Sequence, residues 1–267
     1  MTEPRKHISF SELKNWDFCP YYHKLVYLDG INAFQGNEFT AFGTAIHDTC
    51  EQALLNENKI SHGDHFINSF LGELIKLKEA NLELKPDLVN SMRSQGIALA
   101  PLAIPALKKY FGKFELVSTE ENLYVPFDLT DTGDDLFFKG FIDVALKTED
   151  GKYHIIDWKT CSWGWDSRRK AETMTNYQLV LYKHFFALKH GIDPKNIETH
   201  FALLKRTAKN DQVELFQITS GKKKTENALN LLSTAIYNIK KGKHIKNRLA
   251  CTSGYGCDFY ETEHCSR

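Results

Sequence analysis

An aspartate and a lysine two residues apart, Asp157 and Lys159, lie inside an apolar run from Tyr153 to Thr160. A second run, Leu136 to Lys147, precedes it across Glu149-Asp150-Gly151, so the pair reads as two strands joined by a tight turn. Side chains alternate along a strand, which puts Asp157 and Lys159 on one side and Ile156 and Trp158 on the other. A charge on a buried element is costly unless it is paired or holds a metal. Asp143, on the first strand, offers a second carboxylate. Two carboxylates beside an ammonium group form a hard oxygen site suited to Mg²⁺ or Mn²⁺. Lys159 is then placed to orient or activate a water, or to neutralise charge building on a phosphate. The plain alternative is a surface hairpin with a salt bridge. Asp193-Pro194-Lys195 supplies an internal control: it has the same spacing, but it sits in a Gly-Ile-Asp-Pro turn with no flanking strand.

The elements that must position these residues follow from periodicity and caps. Ser9-Phe10-Ser11-Glu12 is a capping-box pattern opening a short helix that carries Leu13, Trp16 and Phe18, with a break at Cys19-Pro20. A helix from Phe42 to about Leu55 sets His47 and Glu51 on one face. Residues 62–112 read as helical, amphipathic from Phe66 to Leu82 and interrupted at Pro101 and Pro105. Strands are expected at Phe114–Val117, Leu123–Phe127, Ile197–Leu204 and Val213–Ile218. A helix from Tyr177 to about Lys189, capped by Thr175 or Asn176, places Gln178 and Tyr182 four apart on one face. A long amphipathic helix, Thr225 to Ile239, precedes a Cys-rich tail. Helices, then mixed strands, then α-β-β-α describe an α/β fold with a mixed central sheet flanked by helices.

The totals bound the function classes. The 267 residues carry 42% hydrophobic and 25% charged side chains, ordinary for a globular protein with a full core. No apolar run reaches the length of a membrane span and the first residues lack a signal-peptide core, so the expectation is a cytoplasmic protein without membrane partners. Net charge is zero, so composition gives no argument for nucleic acid. Two local clusters do carry positive charge: Lys222-Lys223-Lys224, and Lys240, Lys241, Lys243, Lys246 and Arg248. They suit phosphates or simply solvated helix ends. In Ser162–Lys170, Trp163 and Trp165 precede Arg168, Arg169 and Lys170, which fits either base stacking with phosphate contacts or a packed loop. Of six cysteines, Cys50 and Cys161 fall in apolar segments and read as core residues, while Cys19, Cys251, Cys257 and Cys265 lie near the two chain ends.

Taken together, "Phe-Gly-Thr-Ala-Ile-His" ending at His47, "Gly-Phe-Ile-Asp" ending at Asp143, "Ile-Ile-Asp-Trp-Lys-Thr" around Asp157 and Lys159, and "Tyr-Gln-Leu-Val-Leu-Tyr" from Tyr177 to Tyr182 resemble the RecB-type branch of the PD-(D/E)XK nuclease superfamily. Each motif is weak alone, but the four occur in the expected order. The resemblance implies a single restriction-endonuclease-like domain over 1–267, with a helical insertion at 57–112 and a catalytic core at 113–220. It implies that His47, Asp143, Asp157 and the carbonyl of Trp158 ligate a divalent metal, Mg²⁺ or Mn²⁺. Lys159 is then the catalytic lysine, and Gln178 and Tyr182 orient the site or the DNA backbone. Iron-sulfur members of this branch, among them CRISPR-associated and helicase-linked nucleases, join one early cysteine to three late ones around a [4Fe–4S] cluster. By resemblance Cys19, Cys251, Cys257 and Cys265 form such a cluster joining the chain ends, with structural Zn²⁺ as the alternative. The spacing Cys251-x5-Cys257-x7-Cys265 departs from the family's usual Cys-x2-Cys start.

The expected activity is a metal-dependent deoxyribonuclease, an exonuclease or end-processing enzyme for single-stranded or frayed DNA in recombination, repair, phage DNA metabolism or CRISPR adaptation. No helicase motif is present, so unwinding falls to a partner such as a helicase or recombination protein. Two other classes stand beside it: a catalytically silent DNA-end-binding adaptor with a structural metal cluster, and a thiolate metal protein with a redox or sensing role.

Overall fold

The computed structural model describes residues 7–31, 34–57, 59–127, 136–254 and 256–266. The elements in chain order are β1 (His7–Ser9), α1 (Phe10–Phe18), α2 (Pro20–His23), a π-helical turn (Lys24–Leu28), α3 (Glu38–Leu55), α4 (His62–Glu79), α5 (Pro86–Leu99) and α6 (Ala103–Phe111). There follow β2 (Phe114–Phe127), β3 (Leu136–Thr148), β4 (Tyr153–Cys161), α7 (Ser167–Lys170), α8 (Thr173–His190), β5 (Ile197–Lys205), β6 (Val213–Ile218) and α9 (Lys222–Lys240). These fall into two compact units: a terminal unit of residues 1–35, 123–140 and 221–267, and a central unit of residues 36–122 and 141–220. No helix among the described residues is long and apolar enough to cross a membrane.

In the central unit β3 runs antiparallel to β4 with Val144 opposite Ile156, and β4 runs parallel to β5 from Tyr153↔Ile197 to Cys161↔Lys205. β6 pairs antiparallel with β5. Val144 and Leu146, Ile156 and Trp158, and Ala202 and Leu204 project from one face of this sheet into a core shared with residues of α3–α6. α8 covers the other face through Leu181, Phe185 and other buried residues. Each large apolar side chain so buried contributes roughly 1.5–3 kcal/mol. Where α4 meets α5 the space is closed: a Cβ on Gly96 would lie 2.0 Å from the Phe66 ring, which itself stacks on Phe70. Gly96→Ala is therefore expected to cost about 1–3 kcal/mol by overpacking and to lower the Tm by several degrees. Calorimetry checks this, and an unchanged Tm would show that the ring yields freely.

In the terminal unit β1 lies parallel to the start of β3, His7 opposite Phe137. Ser9 caps α1 by accepting the Glu12 N–H at 3.2 Å, as its sequence pattern predicts. The chain breaks at Cys19 and resumes as α2 with Pro20 at its first position, where a missing N–H costs nothing.

Several expected boundaries move. α3 begins at Glu38 because Asn37 and Thr40 form a reciprocal capping box four residues upstream of Phe42. α8 begins at Thr173, not Tyr177, because the Glu172 side chain accepts the N–H groups of Met174 and Thr175. Pro105 does not interrupt α6, since it falls in the first turn, where its N–H has no helical partner. The strands expected at 114–117 and 123–127 are one continuous β2 through the polar stretch Ser118–Asn122, with Glu120 in the left-handed region at φ 45°. Cys161 is half-buried instead of a core residue, unlike Cys50.

Candidate functional site

The central unit brings His47, Asp143, Asp157, Lys159, Gln178 and Tyr182 together. β4 sets Asp157 deep in the protein and Lys159 nearer its edge, while α3 supplies His47 and α8 supplies Gln178 and Tyr182. Lys159 Nζ lies 2.7 Å from Asp157 Oδ2. Gln178 Nε2 donates to Asp157 Oδ1 at 2.8 Å and lies 3.3 Å from the Tyr182 hydroxyl. The Trp158 N–H donates to Asp143 Oδ2 at 2.7 Å, tying the two strands at the site, and His47 Nδ1 stands 3.5 Å from the same oxygen. The Lys159 ammonium is thus the group that faces the buried Asp157 Oδ2.

The electrostatics are those of a site with surplus negative charge. Burial raises Asp143 well above the usual carboxylate range. Asp157 adds to that, the Lys159 ammonium and the Trp158 N–H oppose it, and Glu120 raises it further. Burial likewise raises Asp157 against the pull of Lys159. Burial, with the Lys159 charge nearby, lowers His47 to about 4 against a hydrogen bond with the Trp158 backbone. The imidazole is therefore neutral at physiological pH and has a lone pair to give a cation. Tyr182 is raised by burial and by Asp157, which keeps its hydroxyl protonated.

Two acids belong to this neighbourhood that the motifs did not single out. Glu120 is raised by burial, Glu51 and Asp157. Glu51, one turn beyond His47 on α3, accepts a hydrogen bond from Thr119 at 3.1 Å. The His47–Glu51 spacing is legible in sequence; Glu120, in the left-handed region within β2, comes from a different element. The donor set of one buried and one partly buried carboxylate, a neutral imidazole and a nearby backbone carbonyl, with excess negative charge, fits a hard divalent cation.

The two readings of the Ser162–Lys170 loop divide between its tryptophans. Trp165 packs edge-on to Phe201 and Phe216 and carries Arg169 over its ring at 5.2 Å. Trp163 is 74% exposed. Lys170 pairs with Glu214, and Asp166 caps α7 by accepting the Arg169 N–H. The Lys222 and Lys223 ammonium groups face Glu226 on α9.

In the terminal unit the four end cysteines line one cavity of about 230 Å³ together with Tyr21, Tyr22, Lys246 and Phe259. Cys19 Sγ accepts the Asn247 N–H at 3.3 Å, and the Cys257 N–H donates to the Cys251 carbonyl at 3.1 Å. Burial raises the Cys257 thiol, a hydrogen bond from the Phe259 backbone lowers it, and Cys19, Cys251 and Cys265 raise it again. Chain-end contacts hold this arrangement: Asn247 Nδ2 to the Phe18 carbonyl at 2.9 Å, Tyr21 to the His264 carbonyl at 3.2 Å, and Tyr22 to Asp258 at 3.3 Å. Among the described residues no three of the thiols lie within 4.8 Å of one another. A tetrahedral Zn²⁺ with bonds of about 2.3 Å needs sulfurs about 3.8 Å apart. Any three of these thiols thus include a pair wider than that spacing.

Residues 7–262 match the family model of the PD-(D/E)XK nuclease superfamily. No curated protein matches the sequence. Among solved structures, the chain is similar to a protein from Eubacterium rectale described as a proposed exonuclease. Identity is 13% and the TM-score 0.58, with 92% of this chain and 86% of that one covered. The protein SSO0001, also 13% identical, aligns over 89% of this chain and 78% of its own with a TM-score of 0.41, too low to carry an argument. The first likeness shows a shared fold.

Proposed function

Because the chain belongs to the PD-(D/E)XK nuclease superfamily, we propose that it is a divalent-metal-dependent deoxyribonuclease that processes single-stranded or frayed DNA ends. The observation that carries this reading is the convergence of Asp143, Asp157, Lys159 and His47 in one acidic, largely buried cluster. His47, Asp143, Asp157 and the Trp158 carbonyl would hold the cation, Mg²⁺ or Mn²⁺. When bound, that cation supplies Lewis-acid polarisation of a phosphoryl oxygen and a lowered pKa for an attacking water. Gln178 fixes the rotamer of Asp157 through Oδ1, which leaves Oδ2 to face the reacting groups. Tyr182 in turn positions Gln178. Lys159 stands where its ammonium can orient a water or offset charge on the phosphate. No side chain is asked to form a covalent intermediate. Trp163, left exposed, supports stacking on an unpaired base. Strand separation would come from a helicase or recombination partner.

A [4Fe–4S] cluster on Cys19, Cys251, Cys257 and Cys265 belongs to the same reading, as a structural staple of the terminal unit. Its support is the shared cavity and the spread of the thiols.

The deciding experiment presents end-labelled single- and double-stranded linear DNA to anaerobically purified protein with Mg²⁺, Mn²⁺ or EDTA. Metal-dependent shortening from an end supports the proposal and gives its polarity. Binding without shortening in either metal would replace the enzyme by a DNA-end adaptor. Glu120→Gln is expected to raise the Mn²⁺ concentration for half-maximal cleavage about tenfold, with the rate recovering at saturation, because it trims charge around the cation without removing a ligand. A fall in the rate at saturating metal would make Glu120 a direct participant instead.

A further inference from the structure

On the opposite face of β4 from Asp157, and three residues earlier, His154 meets Glu198 and His200 of β5. Three residues of strand separate this cluster from Asp157 by about 10 Å. His154 Nδ1 lies 3.1 Å from His200 Nε2, and Glu198 Oε2 lies 3.8 Å from the first nitrogen and 4.0 Å from the second. The point equidistant from these three atoms is about 2.1 Å from each, within the Zn–N and Zn–O bond range of about 2.0–2.2 Å. We propose that His154, Glu198 and His200 form a second metal site, which binds Zn²⁺ or a similar late first-row divalent ion and pins β4 to β5.

The surroundings suit a ligand shell. Thr148 Oγ1 is 2.9 Å from His154 Nε2 and 2.5 Å from Asp150 Oδ1. A carboxylate can only accept, so the hydroxyl donates to Asp150 and accepts from His154 Nε2–H. That fixes the tautomer and leaves the Nδ1 lone pair facing Glu198 and His200. Such a hydrogen-bonded support behind a ligating imidazole is the usual device for aiming it. Lys152 occupies Glu198 Oε1 at 2.5 Å, so Oε2 alone faces the imidazoles. His200 is 2% exposed, which shields its Nε2 and the facing His154 Nδ1 from bulk water. The donors open into a groove of about 480 Å³ lined by Tyr110, Lys113, Asp150 and Gln217, which gives the ion room for a water as fourth ligand. Two imidazoles and one carboxylate favour Zn²⁺ over Mg²⁺, so the ions of the two sites differ in kind.

The test uses the full chain stripped of metal and titrated with Zn²⁺ against a chromophoric chelator, in wild type, Glu198→Gln and His154→Gln. Wild type is expected to take up one more equivalent than either variant. Its Tm should rise by several degrees with Zn²⁺, and the variants should lose that rise. Co²⁺ at this site should give ligand-field bands without thiolate charge transfer, which separates it from ions on the cysteines. Glu198 stands at the groove edge, so its variant decides the matter if His154→Gln does not fold. Equal zinc equivalents and equal Tm responses in wild type and Glu198→Gln would reduce the cluster to a polar network.

Discussion

Asp143→Asn is expected to lower cleavage about a thousandfold or more while raising the Tm of the metal-free protein by about 2–4 °C. The two effects share one cause. Asp157 is buried and Asp143 partly so, Glu120 and Glu51 stand nearby, and Lys159 is the single cation among the named groups of the cluster. Without a divalent ion this excess of negative charge opposes folding, and removing one carboxylate relieves it. An asparagine Oδ1 can still accept the Trp158 N–H that Asp143 accepts at 2.7 Å, so the link between the strands survives. What is lost is a ligand charge: the rise in Tm that Mn²⁺ gives the wild type should shrink or vanish. Thermal melts in EDTA and in Mn²⁺, run beside the cleavage assay, separate the outcomes. Cleavage within tenfold of wild type would remove Asp143 from the site. A lower Tm in EDTA would make the residue a structural acceptor.

The part of this site that follows from local pattern was legible in the chain. Strand alternation alone places Asp157 and Lys159 together and sends Trp158 into the core, and the four-residue spacing of Gln178 and Tyr182 requires one helix face. What depends on tertiary context was not. Ser118–Asn122 is polar enough to read as a turn, yet β2 continues through it, with a positive φ at Glu120, an acid that feels Glu51 and Asp157. Glu172 does not stand out as a cap in sequence, and α8 gains an extra turn because that side chain reaches two backbone N–H groups. The two tryptophans of one loop part company because Phe201 and Phe216, from two different strands, make a pocket for Trp165 alone. His154 and His200 are 46 residues apart, and the parallel register of β4 on β5 joins them.

Cys257→Ser is expected to strip the protein of iron and to lower its Tm by about 10 °C or more, since a bound structural metal contributes folding free energy directly. Hydrogen bonds and side-chain packing also join the ends of the terminal unit. Tyr21 and Tyr22 reach residues 264 and 258 by single hydrogen bonds, and Asn247 holds the end of α1. Burial and the three other end cysteines raise the Cys257 thiol, so its loss would remove one of the four proposed ligands. Cys161→Ser is the matched control: it changes a half-buried thiol of the central unit and should leave iron content unchanged. Iron and acid-labile sulfide near four each per chain, with visible absorbance lost in Cys257→Ser, would identify a cubane. One zinc per chain in place of iron would mean that the thiols close in by more than an ångström around a single ion. Full metal content in Cys257→Ser would leave the staple to the hydrogen bonds alone. The residues proposed for cleavage all belong to the central unit, so residual nuclease activity of the iron-free variant at low temperature would show that the proposed cluster serves the fold and not the chemistry.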